Sequence, residues 1–540
     1  MATIDNSFFP TENEIPNEYK LKNEIHQKSY LVGGEIKNHD GPMQEVLSPV
    51  CIRDNKGEVK QKVIGSYPLM SKEQSLEFLN ASDKAYDNGR GYWPTSSVEK
   101  RIGHMEKFLK NMIPARENVI NSLMWEIGKS YPDSAREFDR TVDYIKDTIS
   151  ALKDLDRISS RPVIEQGIFG QIRRAPLGVT LCMGPYNYPL NETFTTLIPA
   201  LIMGNTVVVK PAKYGVLLHE PLLKAYQESF PPGVINMIYG EGRQIIGPIM
   251  ESGKVDALAF IGSSKVANML EKQHPKPNRL RCVEGLDAKN PAIILNDANL
   301  ETTVQECITG SLSYNGQRCT ALKLLFVQRE IADDFISKFS EAVDNLKCGM
   351  PWTSNVAITP LPEAGKTKYL DDLVKDAQIN GAKIVNPKGG KINYTFFSPT
   401  VLYPVNDKMR IFREEQFGPV VPIIAFDDVS EPLKYVEASN YGQQVSIFGE
   451  DPKVISKLID PLVNQVCRVN LNCQCQRGPD TFPFAGRKDS AKGTLSVSDA
   501  LRVFSIRTLV AAKYNEQNKE LLEKILDGDN SEFLSTHFIL

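Results

Sequence analysis

The segment Ser313-Tyr-Asn-Gly-Gln-Arg318-Cys319-Thr-Ala-Leu-Lys323 places a cysteine after a turn-forming Asn-Gly pair and directly beside an arginine. The thiolate is the nucleophilic form of cysteine, and nearby positive charge and backbone N–H groups stabilise it. A free cysteine is more often a small buried hydrophobe. No histidine stands near Cys319 in sequence, so a papain-like cysteine–histidine pair is not encouraged. What this context suits is nucleophilic, covalent catalysis.

Four further segments carry residues able to do chemistry. They are Gly184-Pro-Tyr186-Asn187-Tyr188-Pro189, Val208-Val209-Lys210-Pro211, Val283-Glu284-Gly-Leu-Asp287 and Glu414-Glu415-Gln-Phe417-Gly-Pro419. Each is ordinary alone. A Pro-x-Asn-x-Pro stretch is usually only a turn, and most lysines and glutamates are solvated surface groups. In this order and spacing, with Gln317-Arg318-Cys319, they resemble the aldehyde dehydrogenase superfamily over about residues 30 to 512.

That resemblance implies roles. Cys319 attacks an aldehyde carbon. The Asn187 amide and the Cys319 backbone N–H hold the developing oxyanion, and Glu284 activates water to hydrolyse the thioester. Lys210 and Glu415 hold the cofactor riboses. Ser263, in the turn Phe260-Ile-Gly262-Ser263-Ser264, holds the pyrophosphate, and Phe417 lines the nicotinamide site. Gly262, Tyr186 and Pro211 complete the implied cofactor set. Lys213 stands where NAD-preferring members typically carry a glutamate. A cation there favours a 2′-phosphate, so the implied cofactor is NADP, with NAD weaker.

Within the superfamily the best match is the non-phosphorylating glyceraldehyde-3-phosphate dehydrogenases. Arg140, Tyr188, Arg318 and Arg477 match that group's phosphate-binding positions, and arginine forks suit a dianion. The implied reaction is oxidation of D-glyceraldehyde 3-phosphate to 3-phosphoglycerate. The alternative is a general aldehyde or semialdehyde dehydrogenase with a non-phosphorylated substrate. One stretch departs from the family. Its usual glutamate motif is E-L-G-G-K, whereas here it runs Glu284-Gly-Leu-Asp-Ala-Lys289. The interval from Glu284 to Cys319 is thereby one residue longer than usual, and a local bulge is expected to absorb the difference.

These residues need a scaffold. Residues 72–160 show helical apolar spacing. From 177 the pattern alternates: strand 178–183, a helix capped by Asn191 and running to Met203, strand Thr206–Lys210, a helix near 217–229, strand 234–239, a helix near 243–252 and strand 257–261. Such alternation predicts a parallel sheet, with nucleotide binding at its strands' carboxyl ends. A second α/β unit follows over 291–471. The expected fold class is α/β and aldehyde dehydrogenase-like. A Rossmann-type cofactor domain (30–154 and 177–283) joins a catalytic domain (284–488) and a small β oligomerisation element (155–176 and 489–512). Residues 1–29 read as a polar extension and 513–540 as a tail with an amphipathic stretch at Asn518–Ile525. The resemblance implies a homo-oligomer, tetramer or dimer.

Bulk properties narrow the partners. The 540 residues carry a net charge of -3, with 41% apolar and 24% charged residues. No basic stripe asks for nucleic acid or a membrane surface. Nine cysteines at low density fit a reduced, cytoplasmic protein, and the six histidines show no zinc-ligand spacing, so no metal is expected. The first 28 residues have no apolar core of a signal peptide.

Overall fold

A computed structural model describes residues 6–528 and 530–535. Two parallel-centred sheets organise the chain. The first has eight strands. Its middle runs Ile235–Met237, Thr206–Lys210, Val179–Met183, Ala257–Ile261 and Arg281–Gly285, all parallel. Antiparallel strands close both edges: Ala491–Lys492 beside Arg281–Gly285, and the hairpin Ser29–Val32/Glu35–Asn38 beside Ile235–Met237. The chain starts the parallel set in the middle, at Val179–Met183, steps out to one side, then returns to the other. The switch therefore falls between Val179–Met183 and Ala257–Ile261. Their carboxyl ends diverge there and leave a crevice.

Branched apolar residues bury both faces of these strands. Val207, Val208, Val209, Leu258 and Ala259 are all fully enclosed, as a sheet covered by helices on both sides requires. The helix Asn191–Ile202 is buried at every position. Asn191 does not cap it; Leu190 occupies that place. The orphan N–H groups of Leu190 and Asn191 are satisfied from another helix, because both donate to the Glu137 carboxylate (3.0 and 3.1 Å). Glu137 also pairs with Lys129, and both side chains are fully buried. An acid from the helix Tyr131–Ser159 thus fixes the start of the helix that follows the Asn187 turn.

The second sheet has seven strands, with the order Lys383–Ile384, Thr400–Tyr403, Val420–Phe426, Leu322–Gln328, Asn290–Ile294, Gln444–Phe448 and Arg468–Leu471. A separate antiparallel sheet pairs Ile168–Pro176 with Ser505–Lys513 over nine residues and with Val163–Glu165 on its other side. The helix Glu516–Asp527 lies against one face of it, where Phe169, Leu522 and Leu534 form a small core. Near the amino end, Phe9 is buried and Phe8 packs on Phe396. The polar composition of that segment hid these anchors. Sequence periodicity also passed over the long hairpin Met43–Arg53/Val59–Pro68, which carries register shifts. Among the described residues no helix is long and apolar enough to cross a membrane.

Candidate active site

A cavity of about 970 Å³ opens at the crevice between the two sheets. The turn after Val179–Met183 forms one wall. Gly184 starts it, and a Cβ there would lie 1.7 Å from Thr193 Oγ1, so only glycine lets the turn lie on the helix Asn191–Ile202. Tyr186, Asn187 and Tyr188 from this turn line the cavity, and Cys319 faces them from the loop before Leu322–Gln328. Asn187 is buried, and its Nδ2 donates to the Gln317 carbonyl at 2.7 Å. Its own carbonyl accepts from Lys129 Nζ at 2.8 Å. These bonds hold the amide next to the nucleophile's loop. Burial pushes the Cys319 thiol up to about 11, and the Glu192 charge adds to this; Arg477 and Lys323 pull the other way.

The cofactor set divides. Gly262, Ser263, Lys213, Tyr186, Glu415 and Phe417 line the cavity. Ser263 stands at the N-cap of the helix Ser264–Gln273, where free N–H groups attract anions. Asp287 already uses part of this end, accepting from Ser264 N and Oγ, both at 2.8 Å. Lys213 is exposed, with its ammonium 5.6 Å from the Tyr214 ring. Glu415 is bound by Lys323 at 2.6 Å, and the Lys323 ammonium lies 4.6 Å from the Phe417 ring. Lys210 and Pro211 are not cavity walls. Lys210 ends its strand beside Met183, and burial lowers its ammonium to about 8.

Arg140, Tyr188, Arg318 and Arg477 all reach the same cavity as Cys319. They do not arrive unpaired. Arg140 grips Asp480 with two bonds of 2.7 and 2.6 Å. Arg477 pairs with Glu192 and lies 3.2 Å from Asp480. Arg318 donates to the carbonyls of Thr309 and Gly310 (2.9 and 2.8 Å). Sequence reasoning missed Glu192 and Asp480. Asp480 sat in view two residues after Arg477-Gly478, and Glu192 in the first turn of a helix, where an acid needs no special explanation.

Glu284 is the one predicted catalytic residue that the structure turns away. No bulge interrupts the strand at Glu284 itself: Phe260 pairs with Glu284 and Ile261 with Gly285 in parallel register, and the register shifts only later, between Asn290 and Pro291. Side chains alternate along a strand. Gly285 therefore faces the cavity, and Glu284 points to the opposite side with Cys282. There Glu284, Cys282 and Glu271 bring their polar atoms within 4.8 Å of one another. Both Glu284 carboxylate oxygens are buried and, among the described residues, have no hydrogen-bond partner. Burial pushes this carboxyl up to about 7; Glu271 reinforces the shift, and Lys492 opposes it.

Comparison with known proteins agrees with this geometry. Residues 54–510 match the model of the aldehyde dehydrogenase family. The NADP-dependent glyceraldehyde-3-phosphate dehydrogenase of Streptococcus equinus is 34% identical over 83% of this chain and 92% of its own. A malonate-semialdehyde dehydrogenase of Bacillus cereus is 28% identical over 84% and 93%. Among solved structures, the NADP-dependent glyceraldehyde-3-phosphate dehydrogenase from Bacillus halodurans C-125 complexed with NADP superposes with a TM-score of 0.81. It is 29% identical and covers 92% of this chain and 100% of that one. With a cysteine facing an asparagine turn across a Rossmann-type crevice, and a family match over most of its length, this chain belongs to the aldehyde dehydrogenase family.

Proposed function

We propose that the chain oxidises D-glyceraldehyde 3-phosphate to 3-phosphoglycerate, with NADP as acceptor and a thioester on Cys319. The observation that carries this reading is the meeting of Arg140, Tyr188, Arg318 and Arg477 with Cys319 in one cavity. The names of the Streptococcus equinus and Bacillus halodurans relatives support it. The residues present fit the dinucleotide: a helix N-terminus at Ser263, the neighbouring Gly262 on the wall, and an exposed Lys213 on the wall. When bound, NADP supplies the hydride acceptor. Ser263 and Gly262 would hold its pyrophosphate, Lys213 its 2′-phosphate, and Glu415 and Phe417 its nicotinamide end.

The chain's own residues do the rest. Cys319 adds to the aldehyde carbon once its proton leaves. Asn187, fixed by Gln317, offers its amide N–H to the oxygen that gains charge. The arginines receive the phosphate through charge-assisted bonds. We place the reaction in the cytoplasm and the enzyme in a homo-oligomer built through the small antiparallel sheet. The test is an activity screen of phosphorylated and free aldehydes, with NADP or NAD. Turnover of D-glyceraldehyde 3-phosphate with NADP, without consumption of inorganic phosphate, is the expected result.

One observation favours a second reading, a semialdehyde or general aldehyde substrate. Asp480 and Glu192 already neutralise two of the arginines. Equal kcat/KM for phosphorylated and free glyceraldehyde would select it.

A further inference from the structure

The turned-away Glu284 leaves a hydrolytic enzyme without a base on the strand expected to carry one. Gly285 occupies the cavity position instead. The missing function must come from another carboxylate on the wall, and the wall offers few free ones. Asp287 is tied to the start of the helix Ser264–Gln273. Glu363 accepts from the Tyr186 hydroxyl at 2.7 Å and pairs with Lys366 at 3.1 Å. Glu414 is chelated by Arg410, and Glu415 by Lys323. Glu192 remains. It is buried, it lines the cavity with Cys319, and among the described residues its side chain is bound by Arg477 alone, a residue of the substrate end.

Building on the proposed phosphorylated substrate, we infer that Glu192, not Glu284, activates the hydrolytic water, and that the substrate's phosphate releases it by drawing Arg477 away. A carboxylate oxygen engaged by a guanidinium is not free to accept from water. A dianion on Arg477 competes for that guanidinium. The Glu192 carboxylate is then open to a water in the cavity. Glu192 and Cys319 line one cavity, and the charge of Glu192 adds to the burial that pushes the thiol up. In the step itself, a water oxygen bonds to the acyl carbon as its proton passes to Glu192. The tetrahedral oxyanion then collapses, the C–S bond breaks, and Cys319 leaves as thiolate. Glu192 returns its proton to solvent, and no electron changes hands.

Pre-steady-state kinetics of the full chain with NADP and D-glyceraldehyde 3-phosphate tests this. Glu192→Gln should keep a stoichiometric NADPH burst, while steady-state turnover falls by roughly 10²–10⁴-fold. Glu192→Asp should recover part of it. Gly285→Glu gives an independent check in the Glu192→Gln background. A Cβ at 285 lies 3.3 Å from Leu495 Cδ1, the far end of a flexible side chain that must give slightly, and the added carboxylate should restore turnover. In the wild type, the acyl-enzyme from unphosphorylated glyceraldehyde should deacylate more slowly than the phosphorylated one. Undiminished steady-state turnover in Glu192→Gln, or its selective loss in Glu284→Gln, would overturn the assignment. Equal deacylation rates for the two substrates would overturn the release by phosphate. If the wild type does not turn over the phosphorylated aldehyde at all, the substrate reading fails, and the burst comparison is made with the aldehyde it does use.

Discussion

The thiol of Cys319 sits in a pocket that opposes its own ionisation. Burial and the negative charge of Glu192 hold its pKa near 11. The thiolate fraction in the free enzyme should therefore rise about tenfold per pH unit from neutrality upward, and alkylation by iodoacetamide should follow it. A rate that levels off below pH 9 would contradict this. Cys319→Ser should abolish oxidation and leave NADP binding, measured by fluorescence titration, intact. Arg477→Ala should lower kcat/KM for D-glyceraldehyde 3-phosphate by about 10- to 150-fold, one charge-assisted interaction's worth, and cost less with free glyceraldehyde. Lys213→Glu should shift the NADP/NAD ratio of kcat/KM toward NAD, since an acceptor replaces a cation. At this scale the sequence revealed which residue types gather but not how they are paired. Arg140 meets Asp480 from 340 positions away, and Arg477 meets Glu192 from 285. Spacing in sequence carries no trace of such partners. Glu284 misled for a different reason. Its identity and neighbourhood matched, but a strand's period of two makes a one-residue offset a reversal of side.

At the scale of elements, the site depends on how the helix Asn191–Ile202 begins. Three of the alternating strands were legible because their apolar runs are short and bounded: Thr206–Lys210 and Ala257–Ile261 fall where the pattern put them, and Val179–Met183 within one residue. The cap was not legible. The acid that serves it, Glu137, lies on a different helix and reads from sequence as an ordinary polar position. It satisfies two backbone donors and Lys129 at once. Glu137→Ala removes all three acceptances and strands a buried ammonium. It should cost about 3–5 kcal/mol in denaturant unfolding, and it should loosen the Asn187 turn through the freed Lys129. Wild-type stability in that variant would show that the cap is dispensable.

At the scale of the whole molecule, the small antiparallel sheet has two unlike faces. Phe169, Val510 and Ala512 look toward the C-terminal helix and are covered by it. Val163, Ile168 and Leu509 share the other face by register and are 47%, 40% and 55% exposed. Apolar groups gathered on an open sheet call for a partner. Leu509→Asp should lower the sedimentation coefficient if the face joins subunits; an unchanged value would assign the face another use. The covered side has its own consequence. Only Tyr514 and Asn515 separate the strand Ser505–Lys513 from the helix Glu516–Asp527, and the end of the described chain is tied back by Gln171 to Ser535 and Lys100 to Glu532. A helix on so short a leash has no room to lift while the strand stays paired. In hydrogen exchange the two should therefore open together as a single unit, well before the enclosed strands beneath the crevice, whose amides await global unfolding.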